Sequence, residues 1–149
     1  MHFHPPTSSL PRITLGESEE RRLNALATAA ALTGRSESTA RILLAEIERA
    51  DVVRDSELPR DVVRMYAWVE FEVDGRDLRC VQLVYPGEAN IEHHRISVLT
   101  PIGAALIGLA AGDSIRLNGH DDRPHKLTVL KIVRHQSRAE DEPPVVRAK

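Results

Sequence analysis

The hydrophobic pattern of this chain changes period part-way along, and that change limits the folds available to it. Up to residue 50 the apolar residues recur every three or four positions, which is typical of amphipathic helices. Beyond the linker 51–61 they alternate with polar residues, which is typical of strands. The 149 residues are enough for one domain with a small appendage. We therefore predict an α+β protein in which a helical segment precedes a sheet.

Two amphipathic helices are predicted to form an antiparallel hairpin, or short coiled coil, over residues 14–56. The connection between them, Thr33–Ser36, is so short that the helices must be antiparallel neighbours. Gly34 suits the end of the first helix, because glycine readily adopts the left-handed conformation found there. The facing stripes comprise Leu23, Leu26, Ala27, Ala30 and Ala31 in the first helix, and Ala40, Leu43, Leu44, Ile47 and Ala50 in the second.

Polar residues at the starts of both helices predict capping side chains. The first helix begins either with a capping box of Thr14 and Glu17 or with Ser18 as its cap. Ser36 is placed to cap the second helix. The outer faces are predicted to be solvated and carry Glu19, Glu20, Arg22 and Asn24 in the first helix and Glu46, Glu48 and Arg49 in the second.

A small antiparallel sheet with one helix across it is predicted for residues 57–133. Thr100 and Pro101 indicate the start of the helix 102–109, because threonine is a good N-cap and proline is favoured at the first helical position. The strands are expected at 62–73, 78–85, 95–99, 114–118 and about 126–133.

The strand 62–73 carries two aromatic residues on the face opposite its apolar side. Alternation places Tyr66 and Trp68 there, together with Arg64. Large aromatic side chains that point away from the core often mark contact with another protein. The other interpretation is that both rings pack beneath the hairpin or the linker, and the sequence leaves the two open.

No motif for catalysis or metal binding is found, so enzymatic activity, a cofactor and a metal site are not expected. The sequence contains no glycine-rich phosphate loop, no nucleophile elbow and no zinc-binding helix pattern. Cys80 is predicted to be a small strand residue rather than a nucleophile. The histidines and their acidic neighbours lack the spacing of metal ligands and are interpreted as loop residues: His2, His4, His93, His94, His120, Asp121, Asp122 and His125.

Composition and terminal sequences exclude several classes of partner. The net charge of −2 argues against a protein that holds nucleic acid by a positive field, so direct sequence-specific nucleic-acid binding is not expected. No run approaches the roughly 18 apolar residues of a membrane span. The N-terminal sequence lacks the features of a secretory signal, and a cytoplasmic protein is expected. The terminal segments 1–13 and 134–149 lack periodicity and are expected to be disordered.

Several segments of the chain occur together in one order. They are AEIERADVV at 45–53, LPRDVVRM at 58–65, LVYP at 83–86, ISVLTPIGAALIGL at 96–109 and GDSIRL at 112–117. No single segment is specific, but the series resembles the nucleoside diphosphate kinase regulator (Rnk) family, a branch of the GreA/GreB transcription elongation factors. The resemblance runs from Ile13 to Ile132.

The resemblance implies that residues 57–133 adopt the FKBP-like fold of the Gre C-terminal domain. In Gre factors this domain docks on the rim of the secondary channel of bacterial RNA polymerase. By analogy, the docking surface here includes the strand-to-helix junction, which comprises Leu99, Thr100, Pro101, Ile102 and Gly103. The fold name also raises peptidyl-prolyl isomerase activity, but the scarcity of aromatic residues argues against it, because a fold alone does not carry a function.

The predicted hairpin departs from the Gre pattern. In Gre factors a long coiled coil enters the channel, and acidic residues at its tip help to hold a metal for transcript cleavage. Here the hairpin is far shorter, and its tip residues are Arg35, Ser36 and Glu37. One carboxylate beside an arginine is a poor ligand set for magnesium.

The resemblance therefore implies a transcription regulator that binds RNA polymerase at the secondary channel and competes with Gre-type factors without stimulating cleavage. A monomer is favoured, and any effect on nucleoside diphosphate kinase is interpreted as indirect. The alternative is a non-catalytic interaction module that uses the face of Tyr66 and Trp68 and does not bind the polymerase.

Overall fold

The computed structural model describes residues 10–118 and 123–133, and it confirms the α+β class. A helical hairpin precedes a five-stranded sheet that carries one short helix. The helices are α1 (Glu17–Thr33), α2 (Glu37–Arg49) and α3 (Pro101–Leu106). The strands are β1 (Thr14–Gly16), β2 (Asp51–Val53), β3 (Trp68–Val73), β4 (Asp77–Val84), β5 (Arg95–Ser97), β6 (Ser114–Asn118) and β7 (Pro124–Val133).

The hairpin forms because α1 and α2 bury matching alanine-rich stripes. Gly34 ends α1 in the left-handed conformation, with φ of 78°, where a residue with a side chain is disfavoured. Ala27 and Ala40 are fully buried, and such small residues let the helix backbones approach closely. The buried positions are Glu19, Leu23, Ala27 and Ala30 in α1 and Thr39, Ala40, Leu43 and Ile47 in α2.

Neither helix is capped by the side chains that the sequence predicts. Thr14 lies in β1, and α1 begins after Gly16, whose backbone is extended. The cap of α1 comes instead from Asp55 in the linker, which accepts a hydrogen bond from the backbone N–H of Ser18 at 3.0 Å. Ser36 occupies the N-cap position of α2 but in the left-handed conformation, with φ of 51° and no side-chain capping bond.

The sheet has the strand order β5-β4-β3-β7-β6 and differs from the predicted antiparallel arrangement at one edge. Strand β5 pairs with β4 in parallel, whereas the other pairs are antiparallel. The sequence also gave no sign of the small parallel sheet of β1 and β2 at the two ends of the hairpin. The backbone N–H of Thr14 in β1 donates to the carbonyl of Gly108 at 3.1 Å, so the base of the hairpin is bonded to the sheet domain.

The predicted strand 62–73 is shorter than expected, because only β3 is extended. Val62 forms an isolated bridge with Ala110, Met65 and Tyr66 form a turn, and Tyr66 has a φ of 72°. A bulky residue at positive φ is strained by about 1–3 kcal/mol, and the surrounding structure must hold it there. The residues predicted to face the core are nevertheless buried at Val63, Met65, Ala67, Val69 and Phe71.

One hydrophobic core joins the hairpin to the sheet. The same cluster of buried side chains includes Leu23 and Leu43 of the hairpin, Phe71 and Leu83 of the sheet, and Leu106 of α3. Ile13, which falls in the segment 1–13 that the sequence predicts to be disordered, belongs to this core at 1% exposure. The remaining terminal segments, 1–9 and 134–149, lie outside the described residues.

Candidate functional site

The junction between β5 and α3 is fixed by a short network of hydrogen bonds. The Thr100 hydroxyl accepts a hydrogen bond from the backbone N–H of Gly103 at 3.1 Å and donates to the carbonyl of Ser97 at 2.7 Å. The Ser97 hydroxyl accepts a hydrogen bond from the backbone N–H of Leu99 at 2.9 Å. Thr100 is thus the N-cap of α3, as its sequence predicts, and the junction presents one defined shape.

Only part of the predicted docking set is accessible at this junction. Pro101 is exposed, and Thr100 and Ile102 are half-buried. Leu99 is 8% exposed, and Gly103 is buried where a Cβ would meet the carbonyl of Ser97. The accessible residues Thr100, Pro101 and Ile102 form a surface that we call the junction patch. Leu99 and Gly103 are buried beneath the junction patch and are not accessible to a partner.

The junction patch lies within a stretch that carries no charge. From Ile96 to Gly112 the chain contains no acidic or basic residue. A partner that binds here gains from burial of apolar surface rather than from ion pairs.

The hairpin tip is exposed and carries one acidic residue that is already paired. Arg35, Ser36 and Glu37 are all exposed. A carboxylate oxygen of Glu37 accepts hydrogen bonds from the guanidinium of Arg41, one turn further along α2, at 3.0 and 3.2 Å. The arginine occupies one oxygen of this single carboxylate, and one carboxylate by itself is a weak ligand set for a divalent cation.

The predicted interaction face of Arg64, Tyr66 and Trp68 is corrected by the structure. Trp68 is 1% exposed and belongs to the interior, so it provides no contact surface. Trp68 begins β3 and pairs with the equally buried Gln82, so the structure also covers the side of the strand that the sequence predicts to be exposed. Arg64 and Tyr66 are half-buried against α1 and the segment after β4. The interpretation that both rings pack within the structure is the one that the burial supports.

Tyr66 is held by polar contacts from two sides. Its hydroxyl donates a hydrogen bond to Glu88 at 2.8 Å, and the side-chain amide of Gln82 donates to its carbonyl at 3.0 Å. Burial, followed by the hydrogen bond to Glu88, raises the pKa of Tyr66 to about 12. The tyrosine is therefore neutral and a hydrogen-bond donor throughout the physiological range.

Residues that the sequence placed in solvent join Tyr66 at the base of the hairpin. Glu19 of α1 is 9% exposed, and its carboxylate accepts a hydrogen bond from the backbone N–H of Met65 at 2.9 Å. The guanidinium of Arg22 lies 4.8 Å from the ring centre of Tyr85, whose ring meets that of Tyr66 edge to face. We call this group the junction cluster; its members are Glu19, Arg22, Arg64, Tyr66 and Tyr85. These residues come from three separate segments of the chain, and no local pattern signals that they meet.

The described residues hold no arrangement suited to metal binding. Within residues 10–118 and 123–133, no three histidine, cysteine or acidic side chains converge. His93 and His94 are exposed in a loop, and His2, His4, His120, Asp121 and Asp122 lie outside the described residues. In the same ranges, no helix is long and apolar enough to cross a membrane.

Comparison with known proteins agrees with this architecture. The family described as transcription elongation factor GreA/GreB, C-terminal, matches residues 58–134. The chain belongs to the GreA/GreB family. It is 36% identical to the regulator of nucleoside diphosphate kinase of Escherichia coli K12 over 108 residues, which cover 72% of this chain and 78% of that protein. Both the family and the Rnk relationship that the sequence suggests are confirmed.

The GreA/GreB relationship extends to an elongation factor and to a solved structure. The chain is 34% identical to transcription elongation factor GreA of Brucella canis over 89 residues, or 58% of this chain and 57% of that factor. It therefore spans little more than half of that relative. The prokaryotic transcription elongation factor GreA/GreB from Nitrosomonas europaea superposes with a TM-score of 0.65 at 31% identity, covering 83% of this chain and 99% of that one.

Proposed function

We propose that this GreA/GreB family member is a transcription regulator that binds bacterial RNA polymerase at the rim of the secondary channel. It acts by occupying that site, competes with Gre-type elongation factors and does not stimulate transcript cleavage. It works in the cytoplasm as a monomer and has no chemistry of its own. Any influence on nucleoside diphosphate kinase is indirect. Membership of the family supports the polymerase as the partner.

The state of Glu37 is the observation that carries the proposal. Glu37 is the sole acidic residue of the tip 33–37, and the Arg41 guanidinium binds its carboxylate at 3.0 Å. A tip that helps hold a magnesium ion needs several free carboxylate oxygens, and here Oε2 of the single tip carboxylate already accepts both hydrogen bonds from Arg41. The hairpin is also short, because the 13 residues of α2 span about 20 Å. Both features favour binding without cleavage.

The junction patch is the proposed docking surface. It is uncharged, partly exposed and held in one shape by the hydrogen bonds of Thr100. A preformed apolar surface loses little conformational freedom on binding, which favours stable docking.

The first experiment measures binding of the full chain to core RNA polymerase, with a Gre factor added as competitor. We expect a complex from which increasing Gre factor displaces the chain. The same preparation, added to backtracked elongation complexes, should leave the rate of transcript cleavage at its unassisted value and should reduce Gre-stimulated cleavage. Failure to bind core polymerase contradicts the proposal.

A substitution in the junction patch tests the docking site. Pro101→Asp places a charge in the patch, and the fold should persist because an acidic residue is favoured in the first turn of a helix. We expect binding to the polymerase to weaken by at least tenfold. Asn118→Asp makes the same change of charge at an exposed position of β6 and should leave binding unchanged. Equal binding by Pro101→Asp and the parent protein would place the docking site elsewhere.

A second substitution tests the tip. The double variant Arg35→Ala/Glu37→Ala should compete less effectively with Gre factor while keeping its fold, because both side chains are exposed. The matched control is Arg54→Ala/Glu57→Ala, which removes an exposed pair of the same charges from the linker. If both double variants compete as the parent protein does, the tip makes no contact in the channel.

A further inference from the structure

The junction cluster joins the hairpin to the sheet domain through polar contacts made by α1. Ser18, Glu19 and Arg22 lie on the same side of α1, within its first two turns. Each binds a different segment of the rest of the chain: Ser18 binds Asp55, Glu19 binds Met65, and Arg22 lies over Tyr85. A movement of α1 relative to the sheet changes all of these distances at once.

Glu19 makes the most demanding of these contacts. Its carboxylate is buried and accepts the backbone N–H of Met65 at 2.9 Å, while the Arg64 guanidinium lies 3.7 Å from the same oxygen. A buried carboxylate is costly unless it is bonded and balanced by a cation, so a rotation of α1 that breaks these contacts is unfavourable. The apolar contacts beneath the hairpin do not specify an angle in this way, because hydrophobic burial is non-directional.

Tyr66 provides an independent observation at the same place. Its φ of 72° is unfavourable for an aromatic residue, yet it is retained directly beside Arg64 and Met65. The strained turn is anchored to the sheet, since the backbone N–H of Tyr66 donates to the carbonyl of Leu83 at 2.7 Å. Strain of this kind persists where the structure around it specifies a position, and it clusters at functional sites.

We infer that Glu19 and Arg22 are positioning residues that fix the direction in which the hairpin points from the sheet domain. The inference rests on the proposed function, because the direction of the hairpin decides whether the tip enters the channel when the junction patch is docked. Neither residue touches the polymerase in this arrangement. Their contacts with Met65 and Tyr85 set the angle between the hairpin and the sheet domain. That angle determines where the tip residues Arg35 and Glu37 lie.

The direction of the hairpin can be measured in the free protein. Spin labels attached to Ser38→Cys near the tip and Arg116→Cys on β6, in a Cys80→Ser background, report the distance from tip to sheet; both positions are exposed. We expect a narrow distance distribution for the parent protein and one at least twice as wide for Glu19→Gln/Arg22→Ala. Gln keeps the size of Glu19 but weakens the hydrogen bond to the Met65 N–H and abolishes the ion pair with Arg64, because it carries no charge. Gln still offers an acceptor and Arg22 is exposed, so this variant should remain folded.

Two further variants separate positioning from a general loss of structure. Arg21→Ala removes the neighbouring exposed arginine and should leave the distribution narrow. Arg22→Lys keeps a cation over the Tyr85 ring and should restore most of the narrow distribution when Glu19 is intact. An unchanged distribution in Glu19→Gln/Arg22→Ala overturns the inference, because the core alone would then set the direction.

The complex with the polymerase supplies a second readout. A photo-crosslinker at Ser38→Cys should give at least fivefold less crosslink, per bound molecule, to core polymerase in Glu19→Gln/Arg22→Ala than in the parent background, while docking persists because the junction patch is intact. Equal crosslink yields overturn the inference. If the parent protein does not bind the polymerase at all, the proposed function fails, and the distances in the free protein decide the inference by themselves.

Discussion

The carboxylate of Asp55 binds Ser18 through both of its oxygens: one accepts the backbone N–H at 3.0 Å, and the other accepts the hydroxyl at 2.7 Å. The two residues are 37 positions apart. Asp55 thereby caps α1 and places a negative charge at the positive end of the helix dipole. A side chain at Gly16 would crowd this contact, since a Cβ there would lie 2.8 Å from the carboxylate. The linker thus supplies the cap that α1 lacks in its own sequence.

The cap predicts a stability contribution that disappears in acid. The hydrogen bond from the Ser18 hydroxyl, followed by that from its backbone N–H, holds the pKa of Asp55 below its ordinary value of 3.8. A carboxyl with a lowered pKa in the folded state stabilises the protein fully above 3.8, and the contribution is lost as the pH falls through the folded-state pKa. We expect Asp55→Ala to lower the urea midpoint at pH 7 and to match the parent protein near pH 2.

A neighbouring acid provides the control for the cap. Asp61 is exposed on the same linker, and Asp61→Ala should change the urea midpoint little at any pH. Comparison of each variant with the parent at the same pH cancels the titration of the other carboxyls. A difference between Asp55→Ala and the parent that stays constant from pH 7 to pH 2 would contradict the role of the charged carboxylate.

Gly103 is predicted to be the least replaceable residue of the junction. A Cβ at this position would meet the carbonyl oxygen of Ser97 and lie 2.9 Å from the Cα of Val98, and both are backbone atoms that cannot rotate away. Overpacking of this kind costs about 1–3 kcal/mol, occasionally more. We expect Gly103→Ala to lower the free energy of unfolding by about that amount and to weaken docking through distortion of the junction patch. Chemical denaturation measures the first effect.

Gly87 is the matched control for Gly103→Ala. A Cβ at Gly87 meets no atom within 4 Å, and its backbone lies outside the left-handed region. Gly87→Ala should therefore change the free energy of unfolding by no more than about 0.5 kcal/mol. Similar losses in the two variants would show that the close approach of α3 to β5 is not what limits position 103.

The sequence predicts which residues are buried better than it predicts their backbone conformation. Val63, Met65 and Ala67 alternate as a strand would, and all three are buried, yet they lie in the irregular segment before β3. Alternation indicates only which side chains are buried, and an irregular segment can bury alternate side chains as well as a strand can. The positive φ of Tyr66 has no signal in the sequence, because glycine or asparagine is the residue expected there.

Local signals located the junction, but long-range contacts decided the rest of the site. Thr100 and Pro101 predict the start of α3 because an N-cap and its proline act within one turn. Glu19 was assigned to solvent because its helix face is polar, and its partner, the Met65 N–H, is 46 positions away. Strand alternation left open whether Trp68 marks a contact surface or packs within the structure, and it lies inside. Helical and strand periodicity cannot report a partner from a distant segment.

Cys80 is predicted to react slowly with alkylating reagents. Burial, followed by the negative charge of Glu70, raises the pKa of the Cys80 thiol to about 11. Only the thiolate reacts, so at pH 8 the reactive fraction is about a hundredfold lower than for a thiol of ordinary pKa. We expect the alkylation rate to rise about tenfold per pH unit up to pH 10, as measured by mass spectrometry. Glu70→Gln should increase the rate at pH 8, and a plateau in the parent protein near pH 9 would contradict the prediction.

Adding acids to the tip should not create cleavage activity, because two features of the hairpin oppose it separately. Arg35→Asp/Ser36→Asp supplies an adjacent pair of carboxylates next to Glu37, which Arg41 already binds. The arm remains short, with α2 spanning about 20 Å, and so it cannot bring the new carboxylates to a deep active centre. We expect this variant to bind core polymerase and to leave cleavage of backtracked transcripts at the unassisted rate, with a Gre factor as the positive control. Cleavage above that rate would show that the missing acids alone, and not the length of the hairpin, separate this protein from the cleavage factors of its family.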